Sequence, residues 1–144
     1  MSVDITVTAT IRRPCDEVSA FVTDPANDPR WIGGIQSARA LGNSSIAVGT
    51  QVERVARFLG RRIEYVNEII ELRPDRLAMR SVRAPFPMRV TYDLRSSGTA
   101  TDMTIRVNGD PGGFFRVASP LVTRAVRRNV TRDLANLKRL LEAT

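Results

Sequence analysis

From Val3 to Ile11 the chain alternates strictly: Val3, Ile5, Val7, Ala9 and Ile11 are apolar, and Asp4, Thr6, Thr8 and Thr10 between them are polar. A period of two predicts a strand with one buried face. Pro14 then suits the first position of a helix, Asp16 and Glu17 stand where a helix dipole favours anions, and Val18, Phe21 and Val22 give a short apolar face. Thr23, Asp24 and Pro25 break that helix and start a second short one, which ends near Trp31 and the pair Gly33, Gly34. Between Ile35 and Asn108 the pattern returns to strands, predicted at about 35 to 41, 50 to 59, 61 to 72, 76 to 83, 87 to 95 and 100 to 108. Their joints carry Gly42 and Asn43, Gly60, Pro74 and Asp75, Pro85 and Pro87, and Ser96 to Gly98. With the first strand they make one antiparallel sheet. After Gly109, Asp110, Pro111, Gly112 and Gly113 the apolar residues Val122, Val126, Val130, Leu134, Leu137 and Leu141 recur at three or four. That spacing predicts an amphipathic helix over about 114 to 142, some 40 Å long at about 1.5 Å per residue. The order predicts an α+β chain of one domain, residues 1 to 144, since no repeat, low-complexity tract or like-charge block divides it.

Composition narrows the chemistry. There is no histidine, which excludes every His-dependent hydrolytic triad and the commonest transition-metal ligand. The single cysteine, Cys15, forms no internal disulfide and builds no thiolate cage, so neither a metal nor any other cofactor is expected. No run reaches the roughly 18 apolar residues that span a bilayer, and the start lacks the apolar block of a secretory signal, so a cytoplasmic location without membrane insertion is expected. The net charge is +7, and of the 22 basic residues all but Lys138 are arginines.

Several short pieces in this order are familiar: Ile11-Arg-Arg-Pro14 with Glu17-Val18 and Phe21-Val22, Asp24-Pro25 followed by Trp31, and Gly49-Thr50. Leu59-Gly60-Arg61 follows, then Glu68 before Arg73-Pro74, Arg76-Leu77, and the closing Asp133-Leu134 with Leu137-Lys138. On these pieces the chain resembles, over nearly its full length, the START-like (SRPBCC) superfamily and in particular its bacterial polyketide cyclase/dehydrase branch. The resemblance implies a helix-grip fold: a curved seven-stranded antiparallel sheet around the long C-terminal helix, with a deep apolar cavity between them. It also implies a hydrophobic or aromatic small-molecule ligand, lipid- or polyketide-like. Relatives either carry such ligands or cyclise and dehydrate them, so fold alone does not choose.

If apolar alternation marks the concave face, Val52, Ala56 and Phe58 point inward and Arg54 joins them by parity. The same rule turns Ile63, Tyr65, Asn67 and Ile69 inward, then Leu77, Met79 and Ser81, then Met88, Val90, Tyr92 and Leu94, then Met103, Ile105 and Val107. The helix adds its apolar stripe, with Asn129 and Asp133 at its margin. Met79, Met88 and Met103 suit irregular or flat ligands, and serve equally as core filler. Arg54, Tyr65, Asn67 and Tyr92 are costly on a dry concave face unless paired or in contact with water or ligand. Arg54 is the leading candidate: a permanent cation with five donors, suited to a carboxylate, enolate or carbonyl oxygen. The alternatives for it are an ion pair with Asp133 or Glu68, or a register slip into solvent. Glu68 has the outward parity. Trp31 reads as closing the second helix against the sheet.

For a cyclase, Arg54 and the tyrosines would supply electrostatics and Asp133 or Glu68 a base, with Glu68 disfavoured by its outward parity. Cys15, without a histidine, reads as structural. Phe86, Phe114 and Phe115 fall in connections at the expected cavity mouth. Arg124, Arg127, Arg128, Arg132 and Arg139, with Arg116, line the long helix and read as its solvated face; an anionic surface or nucleic acid is the second alternative. Monomer and homodimer stay equally open. The reading is a helix-grip protein that binds a hydrophobic small molecule, with a cyclase/dehydrase-like enzyme as the alternative.

Overall fold

A computed structural model describes residues 2–42, 45–115 and 119–143. Strand β1 (Val3–Ile11) leads to helix α1 (Cys15–Val22), a single 3₁₀ turn (Pro25–Asn27) and the one-turn helix α2 (Asp28–Trp31). Six strands follow: β2 (Ile35–Ala40), β3 (Gln51–Phe58), β4 (Arg61–Arg73), β5 (Arg76–Arg83), β6 (Met88–Ser97) and β7 (Ala100–Gly109). Helix α3 (Ser119–Glu142) closes the chain.

All seven strands form one antiparallel sheet in the order β1-β7-β6-β5-β4-β3-β2. The meander pairs each strand with its successor, and β1 then adds beside β7, with Val3 opposite Gly109 and Ile11 opposite Thr101. Register shifts between Ile35 and Ser37, between Val66 and Asn67 and between Ile69 and Glu71 bend the sheet, because an extra residue in one strand sharpens the local twist. The sheet is thereby curled into a half-barrel that grips α3, the helix-grip fold. The β3–β4 hairpin turns on Leu59 and Gly60, both at positive φ (50° and 77°), the handedness that matches the twist of the flanking strands.

The 24 residues of α3 extend about 36 Å at about 1.5 Å per residue. Val122, Val130, Leu134 and Leu137 are buried against the concave face, while Arg124, Arg127, Arg128, Arg132 and Arg139 are exposed. Arg116 lies outside the described residues. On the sheet's outer face, arginines sit across from acids: Arg39 with Glu53 at 3.0 Å, Arg80 with Glu68 at 3.3 Å, Arg106 with Asp4 at 2.7 Å, and Arg76 between Glu71 and Asp93. Four of the 22 basic residues are thus engaged in cross-strand pairs.

The helix does not extend back to residue 114. Pro111 to Phe115 form a turn, closed by the Phe114 amide on the Pro111 carbonyl at 3.0 Å. Packing decides this: Phe114 and Phe115 lie against each other at 5.0 Å and reach Phe58 and Phe86, contacts that a continuous helix would break.

Candidate functional site

Between sheet and α3 lies a cavity of about 220 Å³. An engineered apolar cavity of roughly 150 Å³ already takes up benzene, so this one has room for a larger ring system. Its wall is mostly apolar: Ala56, Phe58, Ile63, Val90, Ile105, Val107, Val122, Val126 and Val130 contribute, with Met79 and Met88. Polar side chains enter at Arg54, Tyr65, Asn67, Tyr92, Asn129 and Asp133. Of the inward set read from parity, Val52, Ile69, Leu77, Ser81, Leu94 and Met103 are missing from the wall, and Met103 is the one of these singled out as a ligand contact. Met103 is fully buried among core residues, opposite Leu94. Parity assigns a face of the sheet and says nothing about position along it; Ile69, Leu77 and Leu94 also point inward yet belong to the packed end.

Arg54 is buried at 5% exposure and is held by a partner that neither sequence alternative named. Its Nε donates to Asp28 Oδ2 at 2.8 Å, and its Nη2 lies 3.6 Å from Met79 Sδ. Asp133 is engaged elsewhere, accepting from the Gly33 amide at 3.0 Å, and Glu68 bonds Arg80 on the outer face. The Asp28 pairing has a geometric cause. Asp28 opens α2, three residues before Trp31, so both side chains fall on the helix side that faces the sheet, and both are 1% exposed. That spacing was the available signal, because an inward arginine on β3 demands an acid on whatever covers it.

Trp31 closes α2 against the sheet, edge-on to Tyr92 at 5.7 Å, and also lines the cavity. Three buried polar atoms in this wall have no hydrogen-bond partner among the described residues: Trp31 Nε1, Arg54 Nη1 and Asn67 Oδ1. Arg54 stands opposite Tyr65 across the β3–β4 ladder, and Asn67 is two residues further along the same face, so Arg54 and Asn67 are diagonal neighbours.

Burial sets the electrostatics. It pushes the Asp28 carboxyl above its ordinary value although Arg54 pulls the other way, and it raises Asp133 against the opposing Gly33 amide and Arg132. Both tyrosine hydroxyls are pushed up by burial and stay protonated. Arg54 stays charged, pushed above its ordinary value: burial opposes its charge, and the Asp28 carboxyl works against that by attraction and by its hydrogen bond.

The open end is aromatic. Phe58, Phe86, Phe114 and Phe115 form one cluster, and Arg61 lies over the Phe114 ring at 3.9 Å and donates to the Phe114 carbonyl. Gly109 on the rim has no room for a side chain, since a Cβ there would stand 2.5 Å from the Pro87 carbonyl oxygen. Cys15 is half-buried at the start of α1 and packs on the core. Among the described residues no cluster of His, Cys, Asp or Glu is arranged to hold a metal, and no helix is long and apolar enough to cross a membrane.

A curled sheet gripping one helix around an apolar cavity defines the START-like class. Residues 2–142 match the family described as polyketide cyclase / dehydrase and lipid transport, and the chain belongs to that family. Among solved structures it is similar to a START superfamily protein from Mycobacterium smegmatis (TM-score 0.84, 12% identity, covering 98% of this chain and 99% of that one). It is also similar to a Thermus thermophilus protein (0.81, 19%, 98% and 99%) and to the Zhui aromatase/cyclase from a Streptomyces species (0.78, 17%, 99% and 94%). At such identities the likeness establishes the fold. Comparison with curated proteins gives no match.

Proposed function

We propose that this chain binds a hydrophobic, lipid- or polyketide-like small molecule in the cavity between sheet and α3. The observation that carries the reading is the pairing of an apolar wall with three buried polar atoms that lack partners. Buried donors and acceptors are nearly always satisfied, and a wall that leaves three open is built for a guest with polar groups of its own. Titration with a fluorescent apolar dye is expected to saturate at one site. Val90→Trp, which fills the cavity from β6, should abolish binding while the far-ultraviolet circular dichroism stays unchanged. Failure to saturate with the wild-type chain overturns the reading.

A second reading is favoured by Asp133. Its carboxyl faces the cavity with a raised proton affinity, so it suits a proton acceptor toward a carbon flanked by carbonyls, while Arg54 Nη1 and Trp31 Nε1 donate to the enolate oxygen that forms. This is cyclase/dehydrase-like chemistry on the same bound ligand. Ring formation from a linear polyketone, lost in Asp133→Asn with binding retained, is its test.

A further inference from the structure

The three open atoms and the charge balance around them say more about the ligand than that it is apolar. Trp31 Nε1 and Arg54 Nη1 are donors, and Asn67 Oδ1 is an acceptor. Arg54 does not enter the cavity as a free cation. Its charge is compensated from behind by Asp28, which is buried, bonded at 2.8 Å and itself no part of the cavity wall. The other charged group buried in that wall is the Asp133 carboxyl; Arg57 also borders the cavity but is exposed. The enclosed end therefore offers hydrogen bonds without a net positive charge.

We propose that this end of the cavity selects a neutral oxygen function, a ketone, enol or phenol, on an otherwise apolar ligand, and rejects carboxylates. The inference rests on the cavity-binding reading above and gives it a chemical class. A carbonyl oxygen accepts from Arg54 or Trp31 and brings in no charge. A hydroxyl adds a donor for Asn67. A carboxylate would gain the same donors, but it would lose its hydration inside an apolar wall and meet the Asp28 and Asp133 carboxylates, with one already-paired cation to offset them. An ammonium group gains the Asn67 acceptor and the Asp133 carboxyl, but it brings no acceptor for the two open donors, which stay unmet, and it gives up its own hydration inside an apolar wall.

The test uses five naphthyl probes of near-equal size, titrated calorimetrically at neutral pH: naphthalene, naphthol, methyl naphthyl ketone, naphthoate and naphthylmethylammonium. Naphthol and the ketone are expected to bind at least about tenfold more tightly than naphthoate and the ammonium, with naphthalene weaker than the ketone, because an unmet buried polar group is what such a site discriminates by. Naphthoate or the ammonium binding as tightly as the ketone, with naphthalene also bound, overturns the proposal and leaves the cavity reading standing. If none of the five binds, both fall. Asp28→Asn should turn the preference toward naphthoate by releasing the charge of Arg54. Should that variant fail to fold, Asn67→Leu serves instead: it is expected to weaken naphthol and spare the ketone, and equal losses for both would overturn the role given to Asn67.

Discussion

Two carboxylates in this molecule each lean on an arginine, and their surroundings give them opposite characters. Asp28, at the enclosed end of the cavity, is 1% exposed, takes one bond from Arg54, and has its proton affinity raised by burial. Glu142, near the end of α3, accepts from Lys138 Nζ at 2.7 Å and from the Arg12 backbone amide at 2.8 Å, with the Arg12 guanidinium also in contact, and is pulled down to about 2. Hydrogen bonds and cations favour the ionised form in both places; only in the first does lost hydration outweigh them. The inner pair is thus a costly arrangement that holds an arginine in an apolar wall, and the outer network a modest clamp joining β1 to α3.

The largest effect is expected where the inner pair is broken from the acid side. Asp28→Ala leaves a guanidinium buried with no counter-ion and no means of shedding its charge, and a loss of about 3–5 kcal/mol is expected in urea unfolding. A loss below about 1 kcal/mol would mean that Arg54 reaches water on its own, and the inner end would then resemble the outer one.

Breaking the pair from the other side is expected to cost less. Arg54→Met leaves Asp28, which can take up a proton at about 1.4 kcal/mol per pH unit, so the deficit should shrink as the solution is acidified. The double variant Asp28→Leu with Arg54→Met is expected to return close to wild-type stability, since replacing a buried pair with apolar residues is often neutral or stabilising. It should also lose the preference for oxygen-bearing ligands. Stability restored with that preference intact would show that Arg54 contributes nothing to the cavity's chemistry.

What the sequence showed of these two regions follows from how far each signal travels along the chain. Strand and helix periods are local, so β1, the meander and the stripe of α3 were legible from alternation and from glycine and proline punctuation. Parity put Arg54, Tyr65, Asn67, Met79, Met88 and Tyr92 on the concave face, and they line the cavity. Depth along that face was not legible, which is why Met103 was expected at the cavity and lies in the core. The partner of Arg54 is 26 residues away on a helix of one turn, where an aspartate followed by proline reads as a helix start. The Glu142 clamp spans 130 residues and depends on how β1 meets α3, a tertiary fact that no local pattern holds.

The smallest effect belongs to that outer clamp, and its sign sharpens the contrast. Glu142 falls from its ordinary value of 4.5 to about 2 in the folded chain, first through the Lys138 bond and then through Arg12. A carboxyl depressed by folding stabilises the fold above its unfolded value and loses that contribution as pH falls through its folded one. Wild type should therefore be more stable than Glu142→Gln at neutral pH, by less than the inner pair is worth, and the gap should narrow from about pH 4.5 and close near pH 2. Asp28 runs the other way: its folded value is raised, so its ionisation costs the fold stability as pH rises from its ordinary 3.8 through that folded value. A carboxyl-resolved NMR titration reads both residues in one sample, with Asp28 expected above 3.8 and Glu142 near 2. A gap between wild type and Glu142→Gln that stays constant across the acid range would show that the clamp acts through packing of the helix end and not through the charge of Glu142.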